Sequence, residues 1–276
     1  MLGHPENSAL ERLLLVQSFL NSQKGSLVRI TARYLEAAPL SVIRTLLSGS
    51  PRVCLSYSFT RLTRDILREL EQEKTAETPA LEELEVHKSI IACQLLCLPE
   101  FVSHIRAVRR LSLALRTEDD IALTSMTAPT LEHLTLNLVD TDINARFPSS
   151  FPRLREVRLS MMLNQAACVH FTQSTSSLLP TVLSPATCPV LETLVIELRW
   201  HLFINTQDLM LLAQVAKAVD RKLKVHPKPP LCLWEIDFGF EPVETIGERV
   251  LQSMPWAAEH RLVRWNEVVI PSEDDY

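Results

Sequence analysis

Glycine is scarce: five occur in 276 residues, at Gly3, Gly25, Gly49, Gly239 and Gly247. A phosphate-binding loop needs several glycines within about seven residues, so that backbone N–H groups can close on an anion. No GxGxxG, GxxxxGK(S/T) or GxSxG stretch occurs, which excludes the main nucleotide-binding and serine-hydrolase fingerprints. Basic runs are also missing. The formal net charge is −5, and no run of Lys or Arg exceeds Arg109–Arg110, so the basic stripe that phosphate neutralisation requires is absent and no nucleic-acid partner is expected.

Long apolar runs are lacking too. The longest, Ile90 to Leu98, has nine residues with Gln94 inside it, against about 20 for a membrane-spanning helix, and no membrane association is expected. The opening Met1-Leu2-Gly3-His4-Pro5 has neither the cationic nor the apolar region of a secretory signal. Six cysteines (54, 93, 97, 168, 188, 232) lie far apart except for one pair. They do not read as a disulfide framework and fit a reducing compartment, cytoplasmic or nuclear.

Leucine is abundant, at 46 residues, and it is periodic. A phrase of the form L-x-x-L-x-L opens at Leu81, Val108, Leu131, Leu154, Leu191 and Leu233, with intervals of 27, 23, 23, 37 and 42 residues. Leu10–Leu15 matches the phrase as well, and Val53-Cys54-Leu55 is a partial copy. The first three intervals fall in the range of about 20–29 residues of leucine-rich repeats, and the longer ones hold an extra helix or loop. Alternation as in Leu134, Leu136 and Leu138 places every second side chain on one face of a short strand.

Between phrases the period becomes helical. Leu209, Leu212, Ala213, Ala216 and Val219 follow the candidate N-caps Asn205 and Thr206, and predict a helix of about 15 residues. Further helices are expected over 63–74 and after Pro242, through Val243, Ile246 and Val250. Strands alternating with helices imply parallel stacking, and one such unit cannot bury its own apolar face, so several must stack. The expected fold class is therefore α/β: an irregular leucine-rich-repeat-like solenoid, with parallel strands on one face and helices and loops on the other. It is expected to be a single unit over residues 1–270, followed by a short acidic tail, 271–276.

The phrases Pro79–Val86, Pro129–Leu136 and Pro189–Leu194 resemble the irregular leucine-rich repeats of fungal F-box proteins, over about residues 40–240. The Asn that follows the strand in regular repeats is replaced by Val139 and Met162, which favours an irregular stack. The resemblance implies the substrate-recognition part of a cullin-type ubiquitin ligase receptor. No F-box precedes the repeats. Leu98–Ile105 is similar to the opening of one but sits between two strand phrases. A fragment of a longer F-box protein is an alternative, because the repeats begin by Leu10 with no polar cap.

Four constellations bear on chemistry. His87, Cys93, Cys97 and His104 have metal-ligand residue types, with the two cysteines at i and i+4; Ile90, Cys93 and Cys97 instead mark an apolar stripe in which the thiols act as small hydrophobes, and no metal or cofactor is expected. Asp140-x-Asp142 after a strand suggests metal-dependent aspartate phosphoryl transfer, the enzyme alternative, although Asp and Asn there also suit an ordinary turn. Cys168-x-His170 has the wrong spacing for a nucleophile and its base on a helix. Trp200, Trp234, Trp256 and Trp265 crowd the last third and read as packing residues.

The third, fifth and seventh positions of each phrase point away from the core. The third-position column reads Glu83, Arg110, His133, Glu156, Thr193, Glu235. The fifth is Glu85, Ser112, Thr135, Arg158, Val195, Asp237, and the seventh includes His87, Asn137, Ser160 and Glu197. Both signs of charge are mixed, which suits selective contact with a protein. The expected function is a non-enzymatic protein-interaction module with another protein as partner, no small-molecule substrate and no catalytic residues.

Overall fold

The computed structural model describes residues 15–16, 18–20, 22–23, 26–33, 40–56, 81–87, 89–138, 147–163, 178–200, 206–238 and 243–267. Among these residues nine strands, in sequence order, form an all-parallel sheet interleaved with helices, so the chain is α/β. The strands are β1 (Ile30–Arg33), β2 (Arg52–Ser56), β3 (Glu83–His87), β4 (Arg110–Leu115), β5 (His133–Leu138), β6 (Glu156–Leu163), β7 (Thr193–Trp200), β8 (Leu231–Phe238) and β9 (Val263–Glu267). The helices are α1 (Leu40–Gly49), α2 (Ile90–Leu96), α3 (Val102–Ile105), α4 (Glu118–Thr127), α5 (Thr206–Val225), α6 (Val243–Ser253) and α7 (Pro255–Glu259), with a 3-10 turn at Pro99–Phe101.

The contacts divide into two compact units. One contains residues up to 113 together with 118–130, and the other contains 114–117 and 131 onward. In the first unit, β1, β2, β3 and β4 pair in parallel. Leu81, Leu84 and Val86, then Val108, Leu111 and Leu113, are all buried, as the first, fourth and sixth positions of the phrase predict. Strands β3 and β4 are each anchored where they begin, on the carbonyl just before the neighbouring strand. The Pro51 carbonyl accepts the N–H groups of Glu82 and Glu83, and the Glu82 carbonyl accepts those of Arg109 and Arg110. The acidic start of α4, Glu118-Asp119-Asp120, opposes the positive end of its helix dipole.

The second unit repeats this device. The Glu132 carbonyl accepts from Arg155 and Glu156, the Arg155 carbonyl from Glu192 and Thr193, and the Glu192 carbonyl from Leu231. Leu131, Leu134 and Leu136, Leu154, Val157 and Leu159, and Leu191, Leu194 and Ile196 are buried. Helix α5 runs for 20 residues and buries Leu212, Val215, Ala216, Val219 and Leu223, longer than the pattern predicts but on the expected stripe. Helix α6 follows Pro242 as expected and buries Ile246 and Val250.

Several structural expectations change or lie outside the described residues. Leu15, the last residue of the Leu10–Leu15 phrase, is helical, and the rest of that phrase lies outside the described residues. On β8 the phrase opening at Leu233 places Glu235, Ile236 and Asp237 on their correct faces, but Leu233, its first core position, lies in the outward row beside Val195, and the register is wrong: Leu231, not Glu235, pairs with Thr193, and Glu235 pairs with Glu197. Four residues is an even slip, which keeps those three side chains on their faces and is invisible to a period of two. The helix expected over 63–74, the Asp140/Asp142 pair, Cys168, His170 and the 271–276 tail lie outside the described residues.

Candidate functional site

Strand pairing turns the outward positions into rows of neighbouring side chains. In the first unit Arg52, Glu83 and Arg110 are Cα partners across β2, β3 and β4. Glu83 lies 3.5 Å from the Arg52 guanidinium and 3.8 Å from that of Arg110, an acid between two bases. The next row along is Thr31, Cys54, Glu85 and Ser112. Arg29, just ahead of β1, donates two hydrogen bonds to the Glu85 carboxylate, at 2.9 and 3.0 Å. His87, two residues further on β3 and so on the same face, places Nε2 3.4 Å from Glu85 Oε2.

This environment sets the local electrostatics. The hydrogen bond from His87 and the Arg29 charge outweigh burial and hold Glu85 below its ordinary value. Burial, with the Glu85 carboxylate beside it, pushes the Cys54 thiol up to about 11. Cys54 is thus protonated and unreactive as it stands, because it is the thiolate that acts as a nucleophile.

In the second unit the rows are His133, Glu156 and Thr193; Thr135, Arg158 and Val195; and Asn137, Ser160, Glu197 and Glu235. His133 and Glu156 approach to 3.9 Å. The dominant feature is a four-residue charge network. Arg158 on β6 donates to Glu197 on β7 at 3.2 Å and, through both terminal nitrogens, to Glu235 on β8. Arg199 closes the network from β7, its Nε donating to Glu197 Oε1 at 2.8 Å. Glu197 is only 4% exposed, a cost that two guanidiniums offset. Burial works against the Arg158 charge, but its bonds to Glu235 and Glu197 prevail and raise its affinity for the proton.

Sequence reasoning places most of these residues on the outward face, but it misses Arg29, Arg52, Cys54 and Arg199. Asp237 pairs with Arg199 across β7 and β8, rather than with Val195. Val53-Cys54-Leu55 reads as a uniformly apolar strand, which hides Cys54 from the outward set. Arg199 had a signal: Val195, Glu197 and Arg199 alternate on one face of β7.

The four residues weighed as a metal set part company. His87 joins Cys54 and Glu85 instead. His104 is buried and hydrogen-bonded to Ser48 at 3.0 Å. Cys93 is buried in α2, which pushes its thiol up. Cys97, next to the end of α2, is raised to about 11 by burial and by Asp119 and Asp120. In the segment similar to an F-box opening, Phe101 and Ile105 are fully buried. Trp234 is buried on the core side of β8, and Trp265 lies against Gly247 of α6.

A shallow groove in the second unit is lined by Glu132, Arg153, Arg155, Val190, Glu192 and Lys228. Arg155 and Glu192 form an exposed ion pair there at 3.7 Å. Its lining offers carboxylates and cations but no thiol, hydroxyl or imidazole. Among the described residues no helix is long and apolar enough to cross a membrane. No protein-family model matches the chain, and no curated protein matches it in sequence.

Proposed function

We propose that this chain is an irregular leucine-rich-repeat-like solenoid that binds another protein through its outward strand face, without catalysis of its own. The anchoring of β3, β4, β6, β7 and β8 on the carbonyl just before the preceding strand supports a stack of like units, Pro51 to Glu82 in the first unit and Glu132 to Arg155 to Glu192 in the second. The observation that carries the binding role is the mixed-sign surface fixed on strands: the Arg52–Glu83–Arg110 row and the Arg158–Glu197–Glu235–Arg199 network. Alternating charges at fixed spacing select a complementary protein surface and repel mismatched ones, whereas a polyanion calls for one sign. Residues held by their neighbours also lose little side-chain freedom on docking.

The resemblance to F-box repeats supplies the partner class: a protein delivered to a cullin-type ubiquitin ligase, in the cytoplasm or nucleus. The test is co-purification with the full chain. A protein retained by the native chain and lost on Arg110→Glu, at unchanged melting temperature, supports the strand-face reading. Retention of every partner by that variant contradicts it. Recovery of a ligase adaptor through residues 89–105 would assign that segment an F-box role, against the burial of Phe101 and Ile105.

A further inference from the structure

One cluster on the strand face brings together donor types that protein docking does not call for. Cys54 Sγ, a Glu85 carboxylate oxygen and a His87 ring nitrogen all lie within 4.8 Å of one another. Strand pairing rather than loops sets the arrangement: Cys54 and Glu85 are Cα partners across β2 and β3, and His87 follows two residues on. Cys54 alternates with the core residues Val53 and Leu55 and so belongs to the outward face, yet it is 6% exposed. Its thiol is sheltered by the neighbours that supply the other donors.

We propose that Cys54, Glu85 and His87 form a zinc site with three protein ligands and a fourth position open to water or to a side chain of a docked protein. Thiolate, imidazole and carboxylate together suit zinc, whereas calcium and magnesium take oxygen donors. Tetrahedral zinc with bonds of about 2.0–2.3 Å sets its ligand atoms roughly 3.3–3.6 Å apart. The present spread closes to that by about 1 Å of side-chain adjustment in Glu85 and His87, both part-exposed.

Binding releases the Cys54 thiol proton to solvent, and the resulting thiolate and carboxylate balance the two charges of the ion. Arg29 has to let go of Glu85. Its side chain is half exposed, so it can turn into water at small cost, which makes it a competitor of the metal. This site stands independently of the docking role, because its readout needs no partner.

The test is titration of the full chain with cobalt(II), a spectroscopic stand-in, followed by displacement with zinc. One equivalent should produce a thiolate-to-cobalt charge-transfer band that zinc abolishes. Cys54→Ser should remove the band and Cys97→Ser should leave it. His87→Asn, a part-exposed position that spares the core, should weaken binding at least about tenfold, and Arg29→Ala should tighten it. The proposal is overturned if one equivalent gives no charge-transfer band, or if band and affinity survive both Cys54→Ser and His87→Asn.

Discussion

Arg158 on β6 is joined to Glu235 on β8 across the whole width of β7, although the two are 77 positions apart in the chain. Its Cα partner on β7 is Val195, and its guanidinium also donates to Glu197 on that strand. One side chain thereby ties three strands together. Arg158→Met should remove both links and leave Glu197 buried with Arg199 as its remaining cation. The expected loss is about 1–3 kcal/mol of stability, less than for a fully buried pair because Arg158 retains some solvent contact. Denaturant melts of Arg158→Met, Glu235→Gln and the double variant should show a combined loss smaller than the sum.

Asp220 performs a different task on the core side. Its carboxylate accepts the backbone N–H of Ala257 at 2.8 Å and that of Trp256 at 3.4 Å, so a residue of α5 caps the start of α7. Ala257 is fully buried, and without the carboxylate its N–H has no water to turn to. Asp220→Ala should cost about 1–2 kcal/mol, read as a lower urea midpoint with unchanged slope.

Gly247 has the least room of the described glycines. A Cβ there would sit 2.2 Å from Cδ2 and Cε2 of Trp265, well inside contact distance, so the indole would have to move. Gly247→Ala should destabilise by about 1–3 kcal/mol despite the gain in helix propensity, and should shift the tryptophan emission. An unchanged emission maximum with native stability would mean that α6 and β9 are not packed in this way.

His226 gives a pH dependence. Its Nδ1 accepts the Lys228 backbone N–H at 3.2 Å, while its buried Nε2 has no hydrogen-bond partner among the described residues. Burial holds the ring below its ordinary value. Below the ordinary imidazole value of about 6.5 the unfolded chain takes up a proton before the folded one does. The contribution is therefore intact above that pH and is lost as pH falls toward the depressed folded value. His226→Gln should narrow the difference in urea midpoint between a pH above and a pH below that window, relative to the native chain.

Much of this was legible because the fold repeats a local rule. Leu81, Leu84 and Val86 announce β3 by themselves, and α5 shows its stripe at Leu212, Ala216 and Val219. The β8 register was not legible, since Leu231 and Leu233 both fit an alternating pattern and only the hydrogen bonds choose Leu231 beside Thr193. The Arg29–Glu85 and Arg158–Glu235 contacts are long-range, and residue spacing cannot locate them. Cys54 looked apolar from its neighbours, yet the same alternation that buries Val53 and Leu55 turns it to the outward row.

The docking role is tested most directly by comparing the proteins that co-purify with three forms of the chain: native, Arg52→Glu/Arg110→Glu on the strand face, and Lys222→Glu/Lys224→Glu on the exposed side of α5. Both pairs of positions are solvent-exposed, but the first brackets Glu83 and the second lies in the last turn of α5, so both reversals should lower the melting temperature modestly and the comparison is made well below the lower midpoint. The expected result is a partner retained by the native chain and the α5 variant but lost from the strand-face variant. A partner held equally by all three, or lost equally from both variants, would contradict recognition through the strand face.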